Sequence, residues 1–264
     1  MTSAGEVEQF VYCPHNWLLS RQGVEGDQAA ARQGIDAHKE AGRAQRRVED
    51  EKREYRRAWA WFFRSVAMAT SATVLMLEVL YLESPPHEYI LIGVTALLVG
   101  ASAGLMLLAI INERRYKRHQ KEAHLVPGRL LSSDLAGPGP LLHDEAWGLN
   151  GRPDQVLDTK SGVVPVEFKT GKTPAHPHLN HVQQVGCYLR LVEVATGKTP
   201  EYGLLNYPDG VFRVAWDDHL KADVQRTLSR IAQARASGVA DRDHSHVGRC
   251  VGCARRDACT QKLA

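Results

Sequence analysis

Asp154, Glu167 and Lys169 are the residues whose types and spacing could do chemistry. Asp154 ends Gly151-Arg152-Pro153-Asp154, and a short hairpin later comes Pro165-Val166-Glu167-Phe168-Lys169. The apolar run Val163–Lys169 reads as a strand. Side chains alternate across a strand, so Glu167 and Lys169 share one face. Two acids and a lysine converging on one point suit a hard divalent cation and a phosphate. The carboxylates hold Mg²⁺ or Mn²⁺, and the lysine steadies an attacking water or the developing negative charge. Alone, Glu-x-Lys on a strand is an ordinary solvated face, so the flanks decide. Thr170-Gly171-Lys172 closes the strand with a glycine turn. His181–Leu189 then opens an amphipathic helix on which Gln184 and Tyr188, four apart, share a face.

The cysteines form a second candidate centre. Cys250, Cys253 and Cys259 make C-x2-C-x5-C near the C-terminus, and Cys13 stands far away in Phe10-Val11-Tyr12-Cys13-Pro14. Four thiolates hold either a tetrahedral Zn²⁺ or a [4Fe–4S] cluster, and the spacing leaves both open. The fifth, Cys187, sits beside Tyr188 and reads as a core thiol. The N-terminus is polar, without a secretory signal. In a reducing compartment clustered cysteines bind metal rather than form disulfides.

Taken together, these residues resemble the PD-(D/E)XK nucleases, specifically the RecB-like branch. Asp154, Glu167-x-Lys169 and Gln184-x-x-x-Tyr188 carry the likeness, with Gly34-x-x-x-His38 and the Tyr12-Cys13-Pro14 start. The one-plus-three cysteine split is similar to the CRISPR-associated RecB-type iron–sulfur exonucleases and to the AddB-type nuclease domain. The likeness runs over residues 6–40 and 125–262. It implies an α/β, restriction-endonuclease-like core: a small mixed sheet flanked by helices. It implies His38, Asp154 and Glu167 as metal ligands, with the Phe168 carbonyl as a further one. Lys169 would orient the water, and Gln184 and Tyr188 would position the scissile strand. A [4Fe–4S] cluster on Cys13, Cys250, Cys253 and Cys259 would tie the N-terminal segment to the C-terminal tail. The implied activity is metal-dependent hydrolysis of DNA, as an exonuclease on single-stranded ends. The competing class is a non-catalytic, membrane-tethered module of the same fold that senses DNA or redox state. The complete set of catalytic residue types argues for the enzyme. A CRISPR role does not follow from likeness, because function lives in the site.

Between His38 and His124 the chain departs from that pattern. Residues 90–111 are 22 in number and uncharged; at 1.5 Å per residue they span about 33 Å, enough for a bilayer core of about 30 Å. Residues 65–82 carry one charge, Glu78, and a short proline-broken connector, 83–88, joins the two segments. Trp59, Trp61, Tyr81 and Tyr89 stand at the segment ends, as interfacial aromatics do. Arginines and lysines crowd 43–57 and 114–121, and the connector has none. The positive-inside rule then predicts a helical hairpin with both ends in the cytoplasm. Gly100-x-x-x-Gly104 would let the pair pack closely.

The elements that must position the site follow from this division. Residues 1–57 form the first part of a nuclease domain, 58–112 the inserted transmembrane hairpin, and 113–264 the core and cluster-binding tail. Removing 58–112 from 264 residues leaves 209, ample for one core. Net charge is only +3, so any DNA contact rests on local patches. Pro127–Gly139 reads as loops around a short strand, 201–207 and 210–216 as a hairpin, and 217–236 as an amphipathic helix stopped at Gly238. His176, His178 and His181 cluster in a loop placed near substrate. The partners expected are single-stranded DNA and the lipid bilayer of the inner membrane.

Overall fold

The apolar run in Gly162–Phe168 becomes the central strand of a sheet. The structure, a computed structural model, describes residues 1–81, 88–122, 128–135 and 138–263. It divides into two compact units, 1–43 with 126–264, and 44–125.

In the first unit five strands pair in the order β2 (Arg129–Ser133), β5 (Gln155–Thr159), β6 (Gly162–Phe168), β7 (Tyr202–Tyr207), β8 (Gly210–Ala215). β6 runs parallel to β7 and antiparallel to β5, so the sheet is mixed. Pairing of β6 with β7 begins at Val166, one residue past Pro165, whose nitrogen has no hydrogen to give. Val164 and Val166 enter one apolar cluster with Leu157 and Leu204. Glu167 therefore points to the opposite face, where Leu205 and Tyr207 of β7 join the main core.

That core is built on α5 (Leu179–Thr196), which buries Val185, Leu189, Leu191 and Val192. α1 (Ala4–Tyr12) adds Val7 and Phe10, α2 (Pro14–Arg21) adds Trp17, and α6 (Asp218–Ser237) adds Val224 and Ile231. Phe10 meets Trp17 edge-on, ring centroids 5.2 Å apart. α5 lies directly on β7 because Gly203 has no side chain: a Cβ there would collide with Val185. Gly186 performs the same service toward α6, where a Cβ would stand 2.8 Å from Val224. α6 begins at Asp217, whose carboxylate accepts the Leu220 amide at 2.8 Å, and stops at Gly238 at φ 70°. Both ends are those expected from the sequence.

A second sheet is an addition to the expected fold. β1 (Thr2–Ser3) pairs parallel with β4 (Leu149–Gly151), which pairs antiparallel with β3 (Leu142–Asp144). Two-residue β1 is too short to show an alternation. Ser3 then caps α1 in a reciprocal box with Glu6, both bonds 3.1 Å.

α3 (Gln28–Tyr81) and α4 (Glu88–Glu122) supply the second unit. Glu51 on α3 is buried and 2.6 Å from His119 Nδ1 on α4, with Arg115 at 3.3 Å. Tyr55 stacks on Tyr116 at 5.2 Å, and the Trp59 indole donates to Glu113 at 3.2 Å. These contacts pair the two helices antiparallel. Stretches within 42–78 and 92–121 have mean hydropathy 1.3 and 2.4 and are long and apolar enough to cross a membrane; 6% and 11% of them is buried. Phe63, Met68, Leu97 and Leu107 are among the exposed side chains. Residues 83–87 of the expected connector lie outside the described residues.

Candidate active site

Lys169 follows the last residue of β6 and its ammonium is the hub of the site. It donates to Glu167 Oε1 at 3.2 Å, to Gln184 Oε1 at 2.5 Å and to Glu8 Oε1 at 2.8 Å. Gln184 in turn donates through Nε2 to the Tyr188 hydroxyl at 3.2 Å. The helical spacing of Gln184 and Tyr188 thus becomes a relay from α5 to β6. Neighbouring Gln183 points elsewhere, accepting from Thr227 of α6 at 2.7 Å.

Asp154 precedes β5 and meets β6 side-on. Its Oδ2 accepts the Phe168 amide at 2.7 Å, and its backbone carbonyl accepts the Asp134 amide at 2.9 Å. Of Phe168 it is the amide that touches the site's described side chains.

The two acids are buried side by side, and burial dominates their titration. It raises Asp154 from 3.8 to about 6, against the lowering effect of the Phe168 amide and the Lys169 charge. Burial and the Asp154 charge push Glu167 well above the usual carboxylate range. Such a pair shares a proton at neutral pH. Burial alone would lower Lys169, but Glu167 and Glu8 more than offset it, so it stays a cation. Burial and the nearby acids hold Tyr188 neutral.

The donor set fits a divalent cation. Glu167 Oε2 is buried without a hydrogen-bond partner among the described residues, an expensive state for a carboxylate oxygen. A cation beside Asp154 and Glu167 would occupy that oxygen and displace the shared proton. Among the described residues no three His, Cys, Asp or Glu close on a single ion. The backbone of His38 lies on α3, and its side chain is outside the described residues.

Sequence reasoning missed Glu8. Its signal was a charge on α1 with no cap or i,i+4 partner: Glu6 is used by Ser3, and Ala4, Gly5, Val11 and Tyr12 surround Glu8 at helical spacing. Glu8 also meets His181 Nε2 at 3.3 Å, while His181 Nδ1 lies 2.6 Å from the Tyr207 hydroxyl. Burial, Lys169 and His178 push His181 down to about 3, so its ring is neutral. Of the three histidines at 176, 178 and 181, His181 alone is bonded to this network among the described contacts. From Glu8 and His181 an open cleft of about 730 Å³ extends along α1 to Tyr12 and Arg249.

The cysteine tetrad assembles on the far side of Tyr12. Cys13 sits at the extended joint between α1 and α2, where Pro14 opens the second helix. α7 (Val247–Val251) carries Cys250. Cys13, Cys250, Cys253 and Cys259 line one cavity, together with Arg242, Arg249, Arg256 and Lys262. Tyr12 donates to the Arg249 carbonyl at 2.6 Å, and Arg249 donates back to the Tyr12 carbonyl at 3.2 Å. Arg255 donates to the Val24 carbonyl at 2.8 Å. Burial raises the Cys13 thiol, against the amides of Asn16 and His15. Cys187 is instead wholly buried in the main core, where burial drives its thiol far up.

No curated protein matches the chain. Its sequence matches the PD-(D/E)XK nuclease superfamily over residues 1–260, insertion included. Members of that superfamily are generally phosphodiester hydrolases that use divalent metals such as Mg²⁺ or Mn²⁺. With an aspartate at the sheet's hairpin, a Glu-x-Lys on the strand that follows and a match over nearly its whole length, this chain belongs to the PD-(D/E)XK nuclease superfamily.

Proposed function

We propose that the protein is a metal-dependent DNA exonuclease acting on single-stranded ends, carrying a [4Fe–4S] cluster and anchored in the inner membrane with its nuclease in the cytoplasm. The observation that carries the reading is the Lys169 ammonium, held between Glu167, Gln184 and Glu8 beside a buried carboxylate pair with an orphaned oxygen. Asp154 and Glu167 would hold Mg²⁺ or Mn²⁺, with His38 and the Phe168 carbonyl completing the ligand set. The bound ion would supply a nucleophilic water and polarise the phosphoryl oxygen. Lys169, oriented by Gln184, would hold that water and offset charge growing on the phosphorus oxygens. Gln184 and Tyr188 would fix the scissile phosphate from α5.

For the cluster, the support is the common cavity of the four cysteines. Four thiolates suit a cubane, each binding a different iron, and equally a tetrahedral Zn²⁺, so the metal content of the purified protein decides between them. The cavity's arginines and lysine suit a centre of net negative charge. Cys13, Cys250, Cys253 and Cys259 would thereby join the two ends of the chain.

For the membrane, the support is the exposure of the apolar helices. Left in water, Phe63, Leu97 and their neighbours would form an apolar surface far larger than soluble proteins tolerate. Residues 58–112 would form the hairpin. The catalytic pieces lie on both sides of it in sequence, so an even number of crossings keeps them together.

The deciding experiment is cleavage of 3′- and 5′-labelled single-stranded DNA by the purified full chain with Mg²⁺ or Mn²⁺. Lys169→Ala should abolish it. Cleavage that survives Lys169→Ala would remove the site from the reaction; inactivity of the wild-type protein on every DNA would favour the sensing module.

A further inference from the structure

The cleft along α1 begins at the reactive lysine's partners and ends at the cysteine module. Glu8 and His181, both bonded around Lys169, line one end. Tyr12, Gly248 and Arg249, next to Cys13 and Cys250, line the other. Between Gly5 and Tyr12 the helix rises about 10 Å, long enough to run beside a short stretch of sugar–phosphate backbone. A volume of about 730 Å³ is of the size that takes a small ligand.

Its chemistry is that of an anion site. Glu8 is the one carboxylate in the lining, and it is already spent on Lys169. The remaining polar groups are donors or mixed: Arg249, His178, His246, Gln9, Asn16 and Asn180. Arg249 is set in place by Nη1 on the Tyr12 carbonyl and by its guanidinium 5.9 Å from the Tyr12 ring. Among the described residues its other guanidinium nitrogens make no hydrogen bond, and they present the planar fork that suits phosphate. His178 and His246 are exposed, and their side chains bear no load in the core.

We propose that this cleft is a phosphodiester-binding channel that holds the strand adjoining the scissile bond, with Arg249, His178 and His246 as its phosphate contacts. The proposal rests on the nuclease reading above. It gives the cysteine module a physical role in recognition, because Arg249 directly precedes Cys250 and Tyr12 directly precedes Cys13. Binding along such a channel is set by backbone charge and length of strand, with little sequence preference.

The test uses the full chain with His178→Glu and His246→Glu combined, and in parallel His178→Lys with His246→Lys. Binding of an oligothymidylate of about twelve nucleotides is read by anisotropy with Ca²⁺, at several salt concentrations. Hydrolysis of the same oligonucleotide and of thymidine 5′-p-nitrophenyl phosphate is read with Mn²⁺. The glutamate pair should weaken oligonucleotide binding at least tenfold and flatten the salt slope. The lysine pair should tighten binding, which a misfolded variant would not do. Hydrolysis of the mononucleotide ester should fall far less than oligonucleotide hydrolysis in the glutamate pair. Unchanged binding and slope in both variants would overturn the channel, and so would an equal loss on both substrates, which would place the histidines in the reaction itself. If the wild-type protein hydrolyses neither substrate, the nuclease reading fails, while the anisotropy arms still decide whether a strand lies in the cleft.

Discussion

Replacing Asp154 by Asn should destroy activity and yet make the metal-free protein more stable. Asp154 is raised from 3.8 to about 6, chiefly by burial. A group with a raised folded-state value binds its proton more tightly in the native state. Its favourable contribution is therefore complete below pH 3.8 and lost as pH climbs through about 6. Above that, at 1.36 kcal/mol per pH unit, the ionised Asp154 costs the fold ~3 kcal/mol. Asn removes the charge and keeps an oxygen for the Phe168 amide. In a domain of this size 1 kcal/mol is worth about 2–4 °C, so the gain at pH 7.5 should be roughly 6–12 °C. The assay is thermal unfolding of the full chain in detergent and EDTA, at pH 7.5 and pH 5. The difference should shrink at pH 5, where the wild-type pair is already protonated. Saturating Mn²⁺ should raise the wild-type protein, by about 2.7 kcal/mol at a hundredfold excess over Kd, and leave the variant where it was. An Asp154→Asn protein that melts at or below the wild type in EDTA at pH 7.5 would refute the argument that this carboxylate pair is held at a cost.

Glu8→Gln should lower kcat about tenfold, or about 1.4 kcal/mol. Because Glu8 helps to raise Lys169, the alkaline loss of activity should move to lower pH; an unmoved alkaline limb would show that Glu8 does not act through the lysine. Cys13→Ser should bleach the visible absorbance of anaerobically purified protein and lower its melting temperature. The closed loop of 237 positions sets a ceiling of about 5 kcal/mol on that loss, and colourless wild-type protein with stoichiometric zinc would decide for the rival metal. Ser84→Cys should react with an impermeant thiol reagent in intact cells and Lys121→Cys should not; labelling of both would break the hairpin topology.

What could be read from the sequence was what a periodic pattern writes locally. β8 and α6 each have one buried face, so period two or 3.6 shows through, while β6 and β7, buried on both faces, read as short apolar runs bounded by turns. The Gly238 stop and the Asp217 start are local chemistry too. Gln184 and Tyr188 were placed together by helical spacing alone, and they do bond. The second sheet was hidden because β1 has two residues and its partner β4 is more than a hundred positions away. Glu8 was hidden for a related reason. Nothing local marks the partner of an acid when that partner, Lys169, is brought by the fold from 161 positions away.

The same distance argument says where the fold concentrates its dependence on tertiary structure. β6 brings Glu167 and leads straight into Lys169, and the β5 hairpin brings Asp154; the sequence orders these three by itself. Glu8, Tyr12 and Cys13 all lie on or just after α1, a nine-residue helix too short to be stable alone. Its capping box, its core residues Val7 and Phe10, and the Tyr12–Arg249 bonds hold it in place. One side of α1 thus meets Lys169, one lines the cleft, and its end supplies a thiol to the cysteine cavity. A change at the cysteines would reach Lys169 through about one and a half helical turns, from Cys13 back to Glu8. Loss of the cysteine centre should therefore act on substrate grip and on lysine placement together, because a single short helix carries both.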